Sequence, residues 1–323
     1  MKSGSNLEKV LASGKPAVTA ELGPPMSADG HEVVKKAQLL KGFCDAANIT
    51  DCQTAVVRIS SIAAATIAHQ NGLEPVMQMT CRDRNRIAIQ ADLLGAAALG
   101  LKNCLCLAGD HQKFSAAGKL KGHPGAKNVY DVDTCQLVGI LKKMRDEGKQ
   151  EGGDPLEVAP KFFVGASWTP MGDPIDFRPI NLLKKVNAGA DFIQTQGIYD
   201  MKLFREQMAK IRNMGLHERT AILAGIIVPK SAMMLKYMDS SVAGVSVPKE
   251  LIDRMNKAKA AAGEDKKKMR ELQEQEGIKI AIELVQQALE TPGVKGVHIQ
   301  AIEWESAIEG IVKAAGLYPR PQV

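Results

Sequence analysis

Ala17-Val18-Thr19-Ala20-Glu21 is the first of eight short segments, rich in β-branched and small residues, most of which stop at a polar side chain. The others read Ala46-Ala47-Asn48-Ile49-Thr50, Pro75 to Thr80, Cys104 to Asp110, Phe162 to Ser167, Phe192 to Gln196, Ile222 to Ile227 and Val294 to Gln300. Successive starts lie about 30 residues apart, the length of a strand plus a returning helix, and two gaps are roughly double that. Eight strand-helix alternations close most economically as a (β/α)8 barrel, whose reactive groups sit at the carboxyl ends of the strands. The expected architecture is an α/β TIM barrel of one domain over residues 1–323, with a long loop after strand 4 and a helical insertion before strand 8. Glu21, Thr50, Asp110 and Gln196 would then converge on one mouth.

Composition agrees. A chain of 323 residues holds a barrel of about 250 with insertions. Its 45% hydrophobic content supplies a large core and its 24% charge a mixed surface. Met1 to Pro16 has no apolar core of signal type and no window approaches 18 apolar residues, which predicts a cytoplasmic address and no membrane span. The six cysteines form no C-x-x-C pair and meet no histidine at finger spacing, so reduced thiols are expected rather than disulfides or a metal site. Cys104 and Cys106, two apart in a strand, share a face as small hydrophobes. A net charge of +6, 4% aromatic content and the lack of a nucleic-acid motif argue against nucleic acid. The basic surface suits attraction of a small polyanion.

Helical periodicity fills the gaps: Val33 to Lys41, Ile59 to Asn71 and Arg84 to Leu99. Between Asp110 and Phe162 lie a Gly/Lys-rich loop (Gly118 to Lys127), a helix from about Asp133 to Glu147, and a Gly/Pro/acid-rich tail, Gly148 to Pro160. That stretch reads as a lid or as a surface excursion. Val228 to Thr291 reads as almost entirely helical, with Pro248 in a first-turn position. Its charged run, Lys257 to Gln275, reads as a solvent-facing helix with i,i+4 pairs or as a face that docks another subunit.

Glu21 ends a strand and is followed by Gly23-Pro24-Pro25, which fix the chain's exit. It either projects into the mouth or pairs with a structural Lys or Arg. Asp110 follows Gly109, which permits a tight turn; two carboxylates at one mouth suit divided labour between proton donor and charge tuning, while a turn or cap aspartate is the other reading. His111 reads as a rim residue. The amide of Gln196 suits the edge of an uncharged heterocycle, and Gln194, on the same side of an extended strand, suits a polar layer. Arg82, Arg84 and Arg86 near a helix start either hold phosphate or form surface pairs. No G-x-G-x-x-G, P-loop lysine, strand-borne Schiff-base lysine or G-x-S-x-G elbow is present.

Ala20 to Pro25, Asn48-Ile49-Thr50, Gln78 to Asn85, Leu107 to Asp110, Val129 to Asp133, Lys185 to Asp191 and Thr195-Gln196 occur in the order found in methylenetetrahydrofolate reductases, which the chain resembles from about residue 15 to about residue 315. The resemblance implies a flavin-containing barrel interconverting 5,10-methylenetetrahydrofolate and 5-methyltetrahydrofolate. Glu21 would be the general acid that opens the folate ring to an iminium, and reduced flavin the hydride donor. Asp110 would touch flavin and pterin, and Gln196 the pterin. Thr50, Gln78, Tyr130 and Lys185 would hold the flavin, Lys185 through a phosphate, with Ala166, Ser167 and Trp168 beside its ring. FAD is the family's usual flavin; Gln78 in place of a histidine and Ala108 in place of an arginine favour FMN. Glu303-Trp304 replaces the Asn-Arg that meets the folate tail. Similar chains of acetate-forming anaerobes work with an iron-sulfur or zinc-containing partner subunit, so that partner or NAD(P)H is the expected electron source, in an oligomer. The competing readings are a pterin-binding methyltransferase barrel serving a corrinoid protein and a non-catalytic scaffold of an electron-transfer complex.

Overall fold

The computed structural model describes residues 1–113, 115–116, 119–120 and 122–323. Its eight main strands are β1 Ala17–Leu22, β2 Ala46–Ile49, β3 Pro75–Thr80, β4 Asn103–Leu107, β5 Phe163–Trp168, β6 Phe192–Gly197, β7 Ala221–Ile227 and β8 Val294–Gln300. They close as a barrel in the order β1-β8-β7-β6-β5-β4-β3-β2, with every neighbour parallel. All eight sequence segments are barrel strands. The fourth stops at Leu107 rather than Asp110, because Gly109 takes φ +87° and turns the chain out of the sheet. A side chain there would stand 3.0 Å from Thr80 Cβ and 3.1 Å from Arg82 Cβ.

Alternation along each strand divides the residues between two cores. On β1, Val18, Ala20 and Leu22 join the layer between barrel and helices, whereas Ala17 lies inside the lower barrel and Glu21 reaches the mouth. Cys104 and Cys106 are fully buried in the outer layer, packed as small hydrophobes. The lower interior holds Val76, Leu105, Phe163, Phe192 and Leu223, with Phe163 and Phe192 stacked at 5.1 Å. Leu7 and Val10 of α1 (Asn6–Ala12) close this layer from below. Each such side chain contributes about 1.5–3 kcal/mol by leaving water. Ser5 caps α1, and the carboxylate of Glu74 accepts from the Asn6 and Leu7 backbone N–H groups at 2.6 and 3.0 Å.

The ring of helices comprises α2 (His31–Leu40), α3 (Ser61–Gln70), α4 (Arg86–Ala98), α5 (Thr134–Asp146), α6 (Arg178–Ala188), α7 (Met201–Asn213) and the single turn α8 (Leu216–Arg219). Caps set their starts: Ser60, Asn85 and Asp200 accept from backbone N–H groups, and Asp133 forms a reciprocal capping box with Gln136. Part of the loop expected over Gly118 to Lys127 lies outside the described residues; Ser115–Ala116 pairs with Lys119–Leu120 just before and within it. No helix among the described residues is long and apolar enough to cross a membrane.

The insertion before β8 is helical, as α9 (Ala232–Ser241), α10 (Lys249–Ala260) and α11 (Lys266–Leu289), with α12 (Ala307–Ala314) following β8. Pro248 precedes α10 rather than opening it. Lys257 to Gln275 is not one helix: α10 ends at Ala260, and Asp265 starts α11 by accepting from the Lys267 and Lys268 N–H groups at 2.9 and 3.0 Å. An aspartate in a polar run competes well as a cap, which periodicity alone does not reveal. The expected i,i+4 pairing is present, with Arg270 and Glu274 at 2.7 Å.

α11 crosses the chain leaving β7 at Gly277, where a Cβ would stand 1.8 Å from the Pro229 carbonyl oxygen. In an exposed helix, Gly→Ala stabilises by about 1 kcal/mol. Here the sign reverses: Gly277→Ala is expected to destabilise by roughly 2 kcal/mol or more through backbone displacement, read as a lower urea midpoint. An unchanged or higher midpoint would refute this packing.

Candidate active site

At the carboxyl ends of the strands lies a cavity of about 410 Å³, within the range of small-molecule sites. Glu21, Thr50, Gln78, Asp110, Ser167 and Gln196 line it, together with Asn48, Gln194, His298 and Gln300. Among the described residues its only large apolar lining side chains are Leu105 and Leu107.

Glu21 stands on β1 with its side chain one-fifth exposed (20%). Burial and the nearby Glu305 carboxylate push its carboxyl from the ordinary 4.5 up to about 7, against the pull of the Lys36 ammonium. Among the described residues Glu21 makes no ion pair with lysine or arginine; its near partner is His298 on β8, with Nε2 at 4.0 Å from Oε2. Burial drives His298 down to about 3, so a neutral imidazole faces the acid. The other ring nitrogen, Nδ1, lies 3.0 Å from Thr19 Oγ1.

Thr19 continues into a polar layer across the barrel. Gln194 donates from Nε2 to Thr19 Oγ1 at 3.1 Å and to Asn48 Oδ1 at 3.0 Å, and Asn48 Nδ2 donates back to Gln194 Oε1 at 2.6 Å. Gln194 therefore fills the polar layer and Gln196 sits higher, where its Oε1 accepts from Gly197 N–H at 3.0 Å. A register shift between Gln194 and Gly197 brings Gln194, Thr195 and Gln196 all to the cavity wall.

Asp110 occupies the loop beyond β4, with Oδ2 accepting from Thr54 N–H at 2.7 Å while Arg82 Nη1 donates to its carbonyl at 3.1 Å. It ties two loops together and faces the cavity. Thr50 donates to Gln53 Oε1 at 2.7 Å. Tyr130, exposed and at φ +40°, donates to the Gly109 carbonyl at 3.1 Å, beside Asp110 but off the cavity wall. Arg86 forms a surface pair with Asp131, whereas Arg84 pairs with the buried Asp51 and the buried Arg82 with Asp83.

On β5 alternation separates three neighbours. Ser167 lines the cavity, whereas Ala166 and Trp168 are buried in the outer layer, where Trp168 Nε1 donates to the Arg178 carbonyl at 2.9 Å. Lys185 does not line the cavity either; its ammonium donates to the Ser167 carbonyl, and burial holds it below the ordinary lysine range. His111 lies exposed on the rim. The sequence reading passed over His298, Lys36 and Glu305. His298 carried a signal, as a polar residue in phase with Gln300 within Val297-His298-Ile299-Gln300, and the other two carried none.

The sequence model of methylenetetrahydrofolate reductase matches residues 6–316. The chain belongs to the methylenetetrahydrofolate reductase family. Methylenetetrahydrofolate reductase 1 of Schizosaccharomyces pombe is 26% identical over 249 residues, 76% of this chain and 36% of the yeast protein. A probable NADPH-type methylenetetrahydrofolate reductase of Caenorhabditis elegans is 22% identical over 266 residues, 81% of this chain and 35% of that protein. The chain thus spans about a third of the length of these relatives. Among solved structures, an uncharacterized protein from Clostridium thermocellum that binds two copies of 5-methyl-5,6,7,8-tetrahydrofolic acid shares the fold, with a TM-score of 0.60, 14% identity and coverage of 96% of this chain and 99% of that one.

Because the folded state holds the Glu21 proton up to about 7 and the unfolded chain releases it near 4.5, the native state binds more protons between those values and stability falls across them. Glu21→Gln removes that loss. The variant is expected to gain stability over the parent as pH rises from about 4.5 to about 7, reaching roughly 3 kcal/mol and then holding level, in urea titrations at several pH values. A difference independent of pH would contradict a retained proton on Glu21.

Proposed function

We propose that this chain reduces 5,10-methylenetetrahydrofolate to 5-methyltetrahydrofolate with a bound flavin, and that Glu21 is the general acid. The observation that carries this reading is a carboxyl group, facing a cavity of small-molecule size, that keeps its proton close to neutral pH. Family membership supports the reaction class, and the folate-binding Clostridium protein supports the fit of a pterin to this barrel.

The lining suits a flavin ring, because the hydroxyls of Thr50 and Ser167 and the amides of Gln78 and Gln196 offer uncharged donors and acceptors for a heterocycle edge. When bound, reduced flavin supplies the hydride. Ala108, small and apolar on the cavity wall, offers no guanidinium to a second phosphate, which favours FMN over FAD. Tyr130 and Lys185 act from behind the wall, on the Gly109 and Ser167 carbonyls. Ala166 and Trp168 likewise support β5 from its outer face.

Glu21 gives its proton to a folate ring nitrogen, which opens the five-membered ring to an iminium, a better hydride acceptor than the closed aminal. Neutral His298 leaves the newly formed carboxylate without a competing cation at contact distance, so Glu21 regains a proton readily. The Asp110 carboxylate stabilises the cation and Gln196 binds the pterin edge, both through charge or donors fixed before the reaction. Electrons arrive from NAD(P)H or from an iron-sulfur partner subunit.

Purified protein is expected to be yellow, to bleach with dithionite and to regain colour on addition of methylenetetrahydrofolate. Glu21→Gln should lose about 10²–10⁴-fold in folate turnover while an artificial donor still reduces its flavin. The acid works while protonated, so kcat/KM for folate should be full below about 7 and fall tenfold per pH unit above it. A colourless protein, or full turnover by Glu21→Gln, would overturn the proposal.

A further inference from the structure

Lys36 and Glu305 lie off the cavity wall and pair beside the exit of the strand that carries its acid. Lys36 reaches out of α2 to bring Nζ within 2.7 Å of Glu305 Oε1, and it also donates to the Gly23 carbonyl at 3.2 Å, two residues beyond Glu21. Glu305 sits in the turn between β8 and α12, where its carbonyl accepts from Ile308 N–H at 3.1 Å. The two side chains are only 21% and 7% exposed. The pair therefore ties together the exits of the strands that carry Glu21 and His298. Buried ion pairs add little net stability over apolar packing, so stability alone is a poor reason for one here.

We propose that Lys36 and Glu305 are a positioning pair that sets how tightly Glu21 holds its proton, an inference that rests on Glu21 being the acid of the proposed reaction. The Glu305 anion keeps the proton on Glu21. The Lys36 ammonium, paired with it, limits that hold. Of the two charges, Glu305 acts on Glu21 more strongly. The other ionisable groups on the acid's cavity are the neutral His298 from β8, Asp51 and Arg82 just beyond β2 and β3, and Asp110 from the loop after β4.

The test reads the protonated carboxyl band of Glu21 in the full-length protein by infrared difference spectroscopy, with the spectrum of Glu21→Gln subtracted, across a pH series. Glu305→Gln should lower the Glu21 midpoint by about one pH unit, a tenfold loss of proton affinity, because the Lys36 cation is left uncompensated. Lys36→Met should raise the midpoint, the double variant should fall between the singles, and Glu305→Asp should return it toward the parent. The Gly23 carbonyl remains as a partner for Lys36 in Glu305→Gln, which keeps that variant foldable if Lys36→Met is not. A midpoint that Glu305→Gln leaves unmoved or raises overturns the proposal. Turnover separates the two readings: full activity of Glu21→Gln with shifted midpoints would remove the acid role and leave the pair's electrostatic action standing. A collapse of activity with fixed midpoints would remove the pair alone.

Discussion

Asn48, Gln194, Thr19 and His298 fill the layer beneath the mouth with groups that are polar but carry no charge, and each is held by the next. Below them the barrel is apolar and plugged by α1; above them it opens into the mouth, lined with carboxylates and amides. Half-satisfied polar groups at that depth would cost more than an apolar filling, so the layer works only as a connected set. It gives Glu21 a floor that neither neutralises the acid with a cation nor leaves it in hydrocarbon.

The same arrangement sets the balance between stability and chemistry. Holding a proton on Glu21 up to about 7 costs folding free energy at neutral pH, of order 3 kcal/mol. The fold meets that cost away from the site, in the stacked Phe163 and Phe192, the α1 plug and the layer of helices. The loops above carry the strain: Cys52, Thr54 and Tyr130 take positive φ values without being glycine, all near Asp110 or the residues that bond to it.

The barrel was legible because period-two alternation and strand-helix spacing are local signals, and all eight segments carried them. Glu21, Thr50, Gln78, Asp110, Ser167 and Gln196 share one cavity for the same reason, each lying near or just beyond a strand end. Ala166 and Trp168 do not, since alternation sends every second residue of β5 outward, and Lys185 reaches a backbone carbonyl from a helix behind the wall. Lys36 and Glu305 meet across 269 residues of sequence only because closure sets β1 beside β8. The α1 plug was missed because a seven-residue helix is recognised by what it covers, not by its own periodicity.

Diffraction from crystals grown with 5-methyltetrahydrofolate tests the central claim most directly. The pterin is expected in the mouth, with one of its nitrogens within about 2.6–3.2 Å of the Glu21 carboxyl or joined to it through one water. Folate bound outside the barrel mouth, or Glu21 turned back onto Lys36 with the pterin in place, would contradict it.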